Sequence, residues 1–184
     1  MEAGIHVALL RGVNVGGNNR LPMKGLVAMF VRAGCTGVQT YIQSGNVVFN
    51  LPAAGAKNLS ARIERELEAC CGNKIPLVFR SALELRNVAK KNPFLAAGAD
   101  PERVHVAFLA DKPSAKAVAA LDHDRSPPDE FTLIGREIYL HTPKGLGQSK
   151  LTNAYFDRAL ETTSTVRNWR TLLALCELCD AAKS

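Results

Sequence analysis

The chain has 184 residues, of which 47% are hydrophobic and 22% are charged, proportions that are typical of folded globular proteins and exclude intrinsic disorder. Its net charge of +6 permits a nucleic-acid or phosphorylated partner, but no basic run exceeds Lys90-Lys91, so a solvated basic surface explains the charge equally well. The N-terminal segment lacks the pattern of a secretory signal and no stretch is long enough to span a membrane, so we expect a cytoplasmic protein.

The first half of the chain predicts the element order βαββαβ followed by a further helix. The apolar run that starts at His6 breaks into a loop rich in glycine and asparagine, and helical spacing of apolar residues resumes at Pro22. Ser81 followed by Glu84 is typical of a capping box, and Asn92-Pro93 should stop the helix that it opens. The predicted strands are 6–11, 38–43, 47–50 and 75–80, and the predicted helices are 22–33, 57–71 and one that begins at Ser81.

The second half repeats this order. The predicted strands are 104–110, 130–134, 137–141 and 163–166, and the predicted helices are 113–121, 149–160 and 168–180. The run that starts at His6 also has a close counterpart at His105, and both fourth strands end in an arginine, Arg80 or Arg167. We therefore expect an α+β protein built as a tandem pair of ferredoxin-like repeats, residues 1–93 and 101–184, each followed by a helix.

The loop of residues 11–20 is the leading candidate for a ligand site. Its glycines allow tight turns and a close approach of the backbone, while its arginines and asparagines supply hydrogen-bond donors. Its glycine spacing matches neither a dinucleotide-binding nor a Walker loop, and a plain connecting loop is the alternative. The candidate binding residues of this half are Arg11, Asn14, Gly16 and Gly17, together with Ser44 and Asn46 of the predicted hairpin turn. We expect the loop and the hairpin turn to lie at opposite ends of the sheet.

Two further segments could bind an anion. Ser149 and Lys150 follow a glycine turn, and Ser149 could cap the next helix, whose N-terminal N–H groups would attract anions. Arg167 precedes Asn168, a candidate cap for the last helix, and an arginine there must be solvated, paired or bound to an anion. A capped helix with no ligand is the alternative in both places.

Recognisable catalytic and metal-binding groupings are sparse. His141 is the best-placed candidate for an acid or base, but no nucleophile–base pair or carboxylate pair accompanies it. Cys176 and Cys179 form a C-x-x-C pattern on the apolar face of the last helix, where buried cysteines are expected rather than a metal site. Catalytic residues and cofactor therefore stay unassigned, and no metal site is expected.

Five motifs resemble a known bacterial family, the domain of unknown function 1697. They appear in the order ALLRGVNVGGNNRLPM (8–23), TYIQSGNVVF (40–49), KNPF (91–94), IYLHTPKGLGQSKLT (138–152) and TVRNW (165–169). The resemblance implies a pair of ferredoxin-like repeats and brings no established activity. It also leads us to expect a lysine in the last helix, in a run like T-V-x-K-L, where this chain has none.

These observations favour a protein that binds a small ligand bearing a phosphate or carboxylate group, with or without a reaction. The alternatives are an RNA-binding module, since ferredoxin-like sheets bind RNA through exposed aromatic side chains, and a protein-interaction scaffold with an exposed apolar sheet face. The strand aromatics on which RNA binding would depend are Tyr41, Phe49, Phe79, Phe108 and Tyr139.

Overall fold

The computed structural model describes residues 1–15, 20–53 and 58–182. Its strands are β1 (Gly4–Leu10), β2 (Thr36–Tyr41), β3 (Asn46–Leu51), β4 (Leu77–Ser81), β5 (Val104–Leu109), β6 (Glu130–Ile134), β7 (Glu137–His141) and β8 (Ser164–Asn168). Its α-helices are α1 (Met23–Arg32), α2 (Leu59–Cys71), α3 (Ala82–Lys90), α4 (Pro93–Ala96), α5 (Ala115–Ala119), α6 (Asn153–Leu160) and α7 (Trp169–Ala181). The predicted α+β class is confirmed.

The chain divides into two compact units. Unit 1 comprises Met1–Arg86 together with Ala174–Ser184, and unit 2 comprises Asn87–Leu173. Each unit contains one four-stranded antiparallel sheet, with strand order β2-β3-β1-β4 in unit 1 and β6-β7-β5-β8 in unit 2. The two sheets therefore repeat the same strand order.

The central strand of each sheet is buried along both faces. In β1, Ala8 and Leu10 belong to the core that α1 and α2 cover, while Val7 and Leu9 point to the other face and are equally inaccessible. All six residues of β5 are buried as well. Continuous apolar runs are expected of strands covered on both faces, so the exposed apolar sheet face that a scaffold would offer is absent from β1 and β5.

Local sequence signals explain most helix boundaries. The predicted capping box is confirmed, since the Glu84 N–H donates to the Ser81 Oγ and the Ser81 N–H donates to the Glu84 carboxylate. Asn92 accepts hydrogen bonds from the Phe94 and Leu95 N–H groups and so starts α4, a short helix that periodicity did not predict. No helix among residues 1–15, 20–53 and 58–182 has the length and apolarity needed to cross a membrane.

Candidate functional site

The loop that follows β1 lies at the same end of the sheet as the β2–β3 turn. Leu9 pairs with Asn46 across the antiparallel β1–β3 ladder, and the Leu10 N–H donates to the Gly45 carbonyl oxygen at 2.8 Å. The expectation that this loop and this turn lie at opposite ends is therefore wrong. The physical reason is the strand direction, because β3 starts where β1 ends when the two run antiparallel.

The side chain of Asn14 links the loop by hydrogen bonds to the start of the α1 segment and to the β2–β3 turn. Its Nδ2 group donates to the carbonyl oxygens of Leu21, at 2.8 Å, and Gln43, at 2.9 Å, while its Oδ1 accepts from the Leu21 N–H at 2.8 Å. Its backbone has a φ of 55°, a left-handed conformation that asparagine tolerates better than most residues. Both side-chain amide protons are used within the protein, so the Asn14 side chain positions the loop and has no amide proton left for a ligand.

The β2–β3 turn is rigidly built around Asn46. This side chain is fully buried, and its Nδ2 group donates to the Tyr41 carbonyl oxygen at 3.2 Å and to the Ser44 Oγ at 3.1 Å. Ser44 itself is half-buried and lies at the surface of the turn. Asn46 therefore orients Ser44, which is the more accessible of the two predicted ligand groups.

This end of unit 1 is cationic. The segment that carries Arg11 continues to Arg20, and Lys24 lies in the first turn of α1, which contains no acidic residue. Lys74 belongs to the segment before β4, where the Pro76 carbonyl oxygen accepts the Arg11 N–H at 2.9 Å. Residues 10–24, 42–46 and 72–77 include no Asp or Glu. Gly16 and Gly17, the other predicted binding residues, lie outside the described residues.

The equivalent end of the sheet in unit 2 has no glycine-rich loop after its first strand, β5. There the Leu109 N–H donates to the Arg136 carbonyl oxygen at 2.9 Å, as Leu10 does to Gly45 in unit 1. The Arg136 guanidinium then donates to the Ala110 carbonyl oxygen at 3.0 Å. An arginine of the β6–β7 turn thus contacts the end of β5, where unit 1 continues into residues 11–20.

Ser149 does not cap the helix that follows it. Its Oγ accepts from the Leu151 N–H at 3.0 Å within a short turn, whereas Thr152 caps α6 by accepting the Tyr155 N–H. The predicted helix start at Ser149 is therefore wrong by four residues, because the local serine turn competes with helix formation. Lys150 is exposed, and its N–H donates to the Ser126 Oγ at 3.0 Å.

Asn168 caps a helix, whereas Arg167 donates hydrogen bonds within its own strand. The Asn168 Oδ1 accepts from the Thr171 N–H at 2.8 Å, which confirms the predicted helix cap. Arg167 is half-buried and donates to the Thr165 Oγ1 and the Val166 carbonyl oxygen, both at 2.8 Å. Burial lowers the pKa of its guanidinium to about 10. Arg80 occupies the matching position of β4, opposite Val7, as Arg167 lies opposite Val106.

The candidate acid or base, His141, and the two cysteines of the C-x-x-C pattern, Cys176 and Cys179, lie in different surroundings. His141 is half-buried, with its Nδ1 atom 4.0 Å from the Glu130 carboxylate and its ring beside Phe94. Cys176 is half-buried and Cys179 is buried, and neither is part of a disulfide. Within residues 1–15, 20–53 and 58–182, no group of three or more His, Cys, Asp or Glu side chains could hold a metal ion.

Most of the strand aromatics are unavailable for stacking on RNA bases. Phe49, Phe108 and Tyr139 are at most 1% exposed, and Phe79 packs against the core of unit 1. The Tyr139 hydroxyl donates to the Val88 carbonyl oxygen at 3.2 Å. RNA-binding ferredoxin-like sheets need such side chains on an accessible face, so this arrangement does not favour the RNA alternative.

Comparisons with known proteins give a family and a fold but no activity. Residues 4–139 match the model of a family described as "Protein of unknown function (DUF1697)". Among solved structures, the chain is similar to the conserved bacterial protein SP0830 from Streptococcus pneumoniae, with a TM-score of 0.73 and 19% sequence identity. That match covers 95% of this chain and 98% of the other. No curated protein matches the chain.

Proposed function

Because the chain belongs to DUF1697, a family of proteins of unknown function, we propose its function from its own residues. Unit 1 binds a small ligand that carries a phosphate or carboxylate group, at the end of its sheet where residues 11–15 meet the β2–β3 turn. The observation that carries this proposal is the concentration of Arg11, Arg20, Lys24 and Lys74 in segments that contain no acidic residue. No reaction is assigned.

Electrostatics support an anion as the ligand. Four cations in segments whose sequence contains no Asp or Glu create a positive potential that attracts and retains negative groups. The N-terminus of α1 adds to this potential, because its first N–H groups carry partial positive charge. Arg11 and Arg20 supply planar donors that suit the oxygen atoms of phosphate and carboxylate groups.

The hydrogen bonds that fix the loop and the β2–β3 turn favour a ligand-binding site over a simple connecting loop. The three hydrogen bonds of Asn14 hold the loop against Leu21 and Gln43, and Asn46 orients the Ser44 hydroxyl beside it. A site whose parts are held in place by the fold loses less entropy when the ligand binds. Asn14 and Asn46 are thus positioning residues, while Arg11 and Ser44 face the ligand.

The duplicated strand order supports the architecture proposed with this function. We propose that each sheet belongs to a ferredoxin-like unit, because its strand order and antiparallel pairing are those expected of one, and we assign the repeats to residues 1–93 and 101–184. The glycine-rich loop follows the first strand of the first repeat, whereas the segment after β5 in the second repeat, residues 110–113, contains no glycine. There Arg136 contacts the end of β5 instead. We therefore assign ligand binding at this loop to the first repeat alone.

Thermal unfolding in the presence of inorganic phosphate or citrate, with sodium chloride at matched ionic strength as the reference, tests the proposal. We expect at least one of the two anions to raise the Tm of the wild-type protein, because a ligand that binds only the folded state stabilises it. Arg11→Gln and Arg20→Gln should each reduce the shift. Arg65→Gln removes an exposed cation on α2 and should retain it. Equal shifts in all three variants, or none in the wild type, would contradict the proposal.

A further inference from the structure

Unit 2 contains an open cavity beside α6 that no sequence motif singled out. Its volume is about 550 Å³, within the range of about 300–1,000 Å³ that is usual for small-molecule sites. The residues that line it are Arg125, Thr152, Ala154, Tyr155, Arg158 and Ala159. Two arginines thus face a concave surface whose remaining wall is largely apolar.

Arg125 is held in place before any ligand arrives. Its Nε–H donates to the Lys150 carbonyl oxygen at 3.2 Å, and its Cζ atom lies 4.2 Å from the centre of the Tyr155 ring. The Tyr155 hydroxyl is fixed in turn, since it accepts the Asp122 N–H at 2.9 Å. The guanidinium plane is therefore oriented by the protein, and its two terminal nitrogens remain available to a ligand.

Neither arginine of the cavity is neutralised by the protein. Within the part of the chain that the structure describes, Arg125 and Arg158 form no ion pair, whereas Arg32 and Arg86 each pair with a carboxylate. The first turn of α6 also contains no acidic residue. Both side chains are exposed, and two unpaired guanidiniums that line one concave surface can donate hydrogen bonds to the same anion.

The apolar wall restricts the kind of anion. Ala154 and Arg158 are four residues apart on α6, as are Tyr155 and Ala159, so small apolar side chains lie directly beside the cation and the aromatic ring. An inorganic ion would leave these apolar groups uncovered. A phosphate joined to a carbon skeleton would contact both kinds of surface.

We propose that this cavity is a second, independent site that binds the phosphate group of a small phosphate monoester. The phosphate oxygen atoms accept hydrogen bonds from Arg125 and Arg158. The attached carbon skeleton contacts Ala154, Ala159 and the edge of Tyr155. This site does not depend on the one proposed in unit 1. It also gives the Ser149–Lys150 segment a role, because the backbone of Lys150 orients Arg125.

Isothermal titration calorimetry with phenyl phosphate and with inorganic phosphate, at constant ionic strength, tests this site. We expect phenyl phosphate to bind more tightly than inorganic phosphate, and Arg125→Gln and Arg158→Gln each to weaken its binding about tenfold. Arg125→Lys should also weaken binding, because it keeps the charge but loses the stacked, planar donor. Arg170→Gln, which removes an exposed cation outside the cavity, should bind as the wild type does.

Two controls separate this site from folding defects and from the site in unit 1. Circular dichroism and urea unfolding of each variant show whether it remains folded. The same titrations in the Arg11→Gln, Arg20→Gln double variant, in which the site proposed in unit 1 is weakened, should still show phenyl phosphate binding, and adding Arg125→Gln to that background should weaken it about tenfold. Absence of phenyl phosphate binding at millimolar concentration, or equal affinities of folded Arg125→Gln, Arg158→Gln and wild-type proteins, would overturn the proposal.

Discussion

Gly45 and Val13 are so close that a Cβ atom added to Gly45 would lie 2.5 Å from the Val13 Cγ2 atom. The same atom would lie 2.7 Å from the Leu10 Cβ atom. The β2–β3 turn therefore packs directly onto the loop that follows β1, and only a residue without a side chain permits this contact. This packing brings the two halves of the proposed anion site in unit 1 together.

Gly45→Ala should destabilise the protein through this contact. Gly72 provides a matched control, because its φ of 74° is close to the 77° of Gly45 while nothing lies within 4 Å of an added Cβ atom. Gly72→Ala should lower the free energy of unfolding by about 1 kcal/mol from backbone strain alone. Gly45→Ala should lower it at least twice as much in urea unfolding. Equal losses would mean that the turn does not pack tightly on Val13.

Asn14→Asp should weaken both folding and anion binding. The carboxylate cannot donate to the Leu21 and Gln43 carbonyl oxygens, so we expect a loss of about 1–3 kcal/mol in the free energy of unfolding. Asn50→Asp adds the same charge at an exposed position at the other end of the sheet and should change the free energy of unfolding little. Wild-type stability in Asn14→Asp would show that the three hydrogen bonds do not hold the loop.

The sequence predicted the individual helices and strands of this fold better than the way in which distant segments pack together. Capping residues act locally, so Ser81 and Asn168 correctly indicated helix starts, whereas Ser149 misled because its hydroxyl closes a turn before α6. The cavity beside α6 could not be predicted, because Arg125 reaches it from a loop far along the chain from Arg158. Pairing between distant segments depends on tertiary packing, which periodicity does not encode.

The stability of the protein should fall as the solution becomes acidic, and His105 should contribute to this loss. Burial lowers the pKa of His105 below its usual 6.5, and its hydrogen bond with the Arg103 backbone opposes that shift only in part. The unfolded chain therefore binds a proton more readily, so the stability associated with neutral His105 is present above pH 6.5 and is lost below it. Urea unfolding should show a smaller loss between about pH 7.5 and about pH 5.5 in His105→Gln than in the wild type. Identical pH dependences would contradict the assignment.

The cysteines should differ strongly in their reaction with iodoacetamide. Cys70 is exposed, whereas Cys35 is buried, and burial raises the pKa of the Cys35 thiol to about 11. Burial likewise raises the pKa of Cys176 to about 11. Because the thiolate is the reactive form, mass spectrometry near neutral pH should find Cys70 alkylated first. Addition of urea should make Cys35 react, and equally fast alkylation of Cys35 in the folded protein would contradict its burial.

The central claim is that an anion binds where residues 11–15 meet the β2–β3 turn, and an NMR titration of the ¹⁵N-labelled protein with inorganic phosphate tests it most directly. We predict saturable shifts of the backbone amide signals of Arg11, Asn14, Ser44 and Leu21, with no such shifts when sodium chloride is added to the same ionic strength. Signals of Thr36 and Asn50, at the far end of the sheet, should stay in place. Unchanged signals at the loop and the turn, or shifts that chloride reproduces, would contradict the claim.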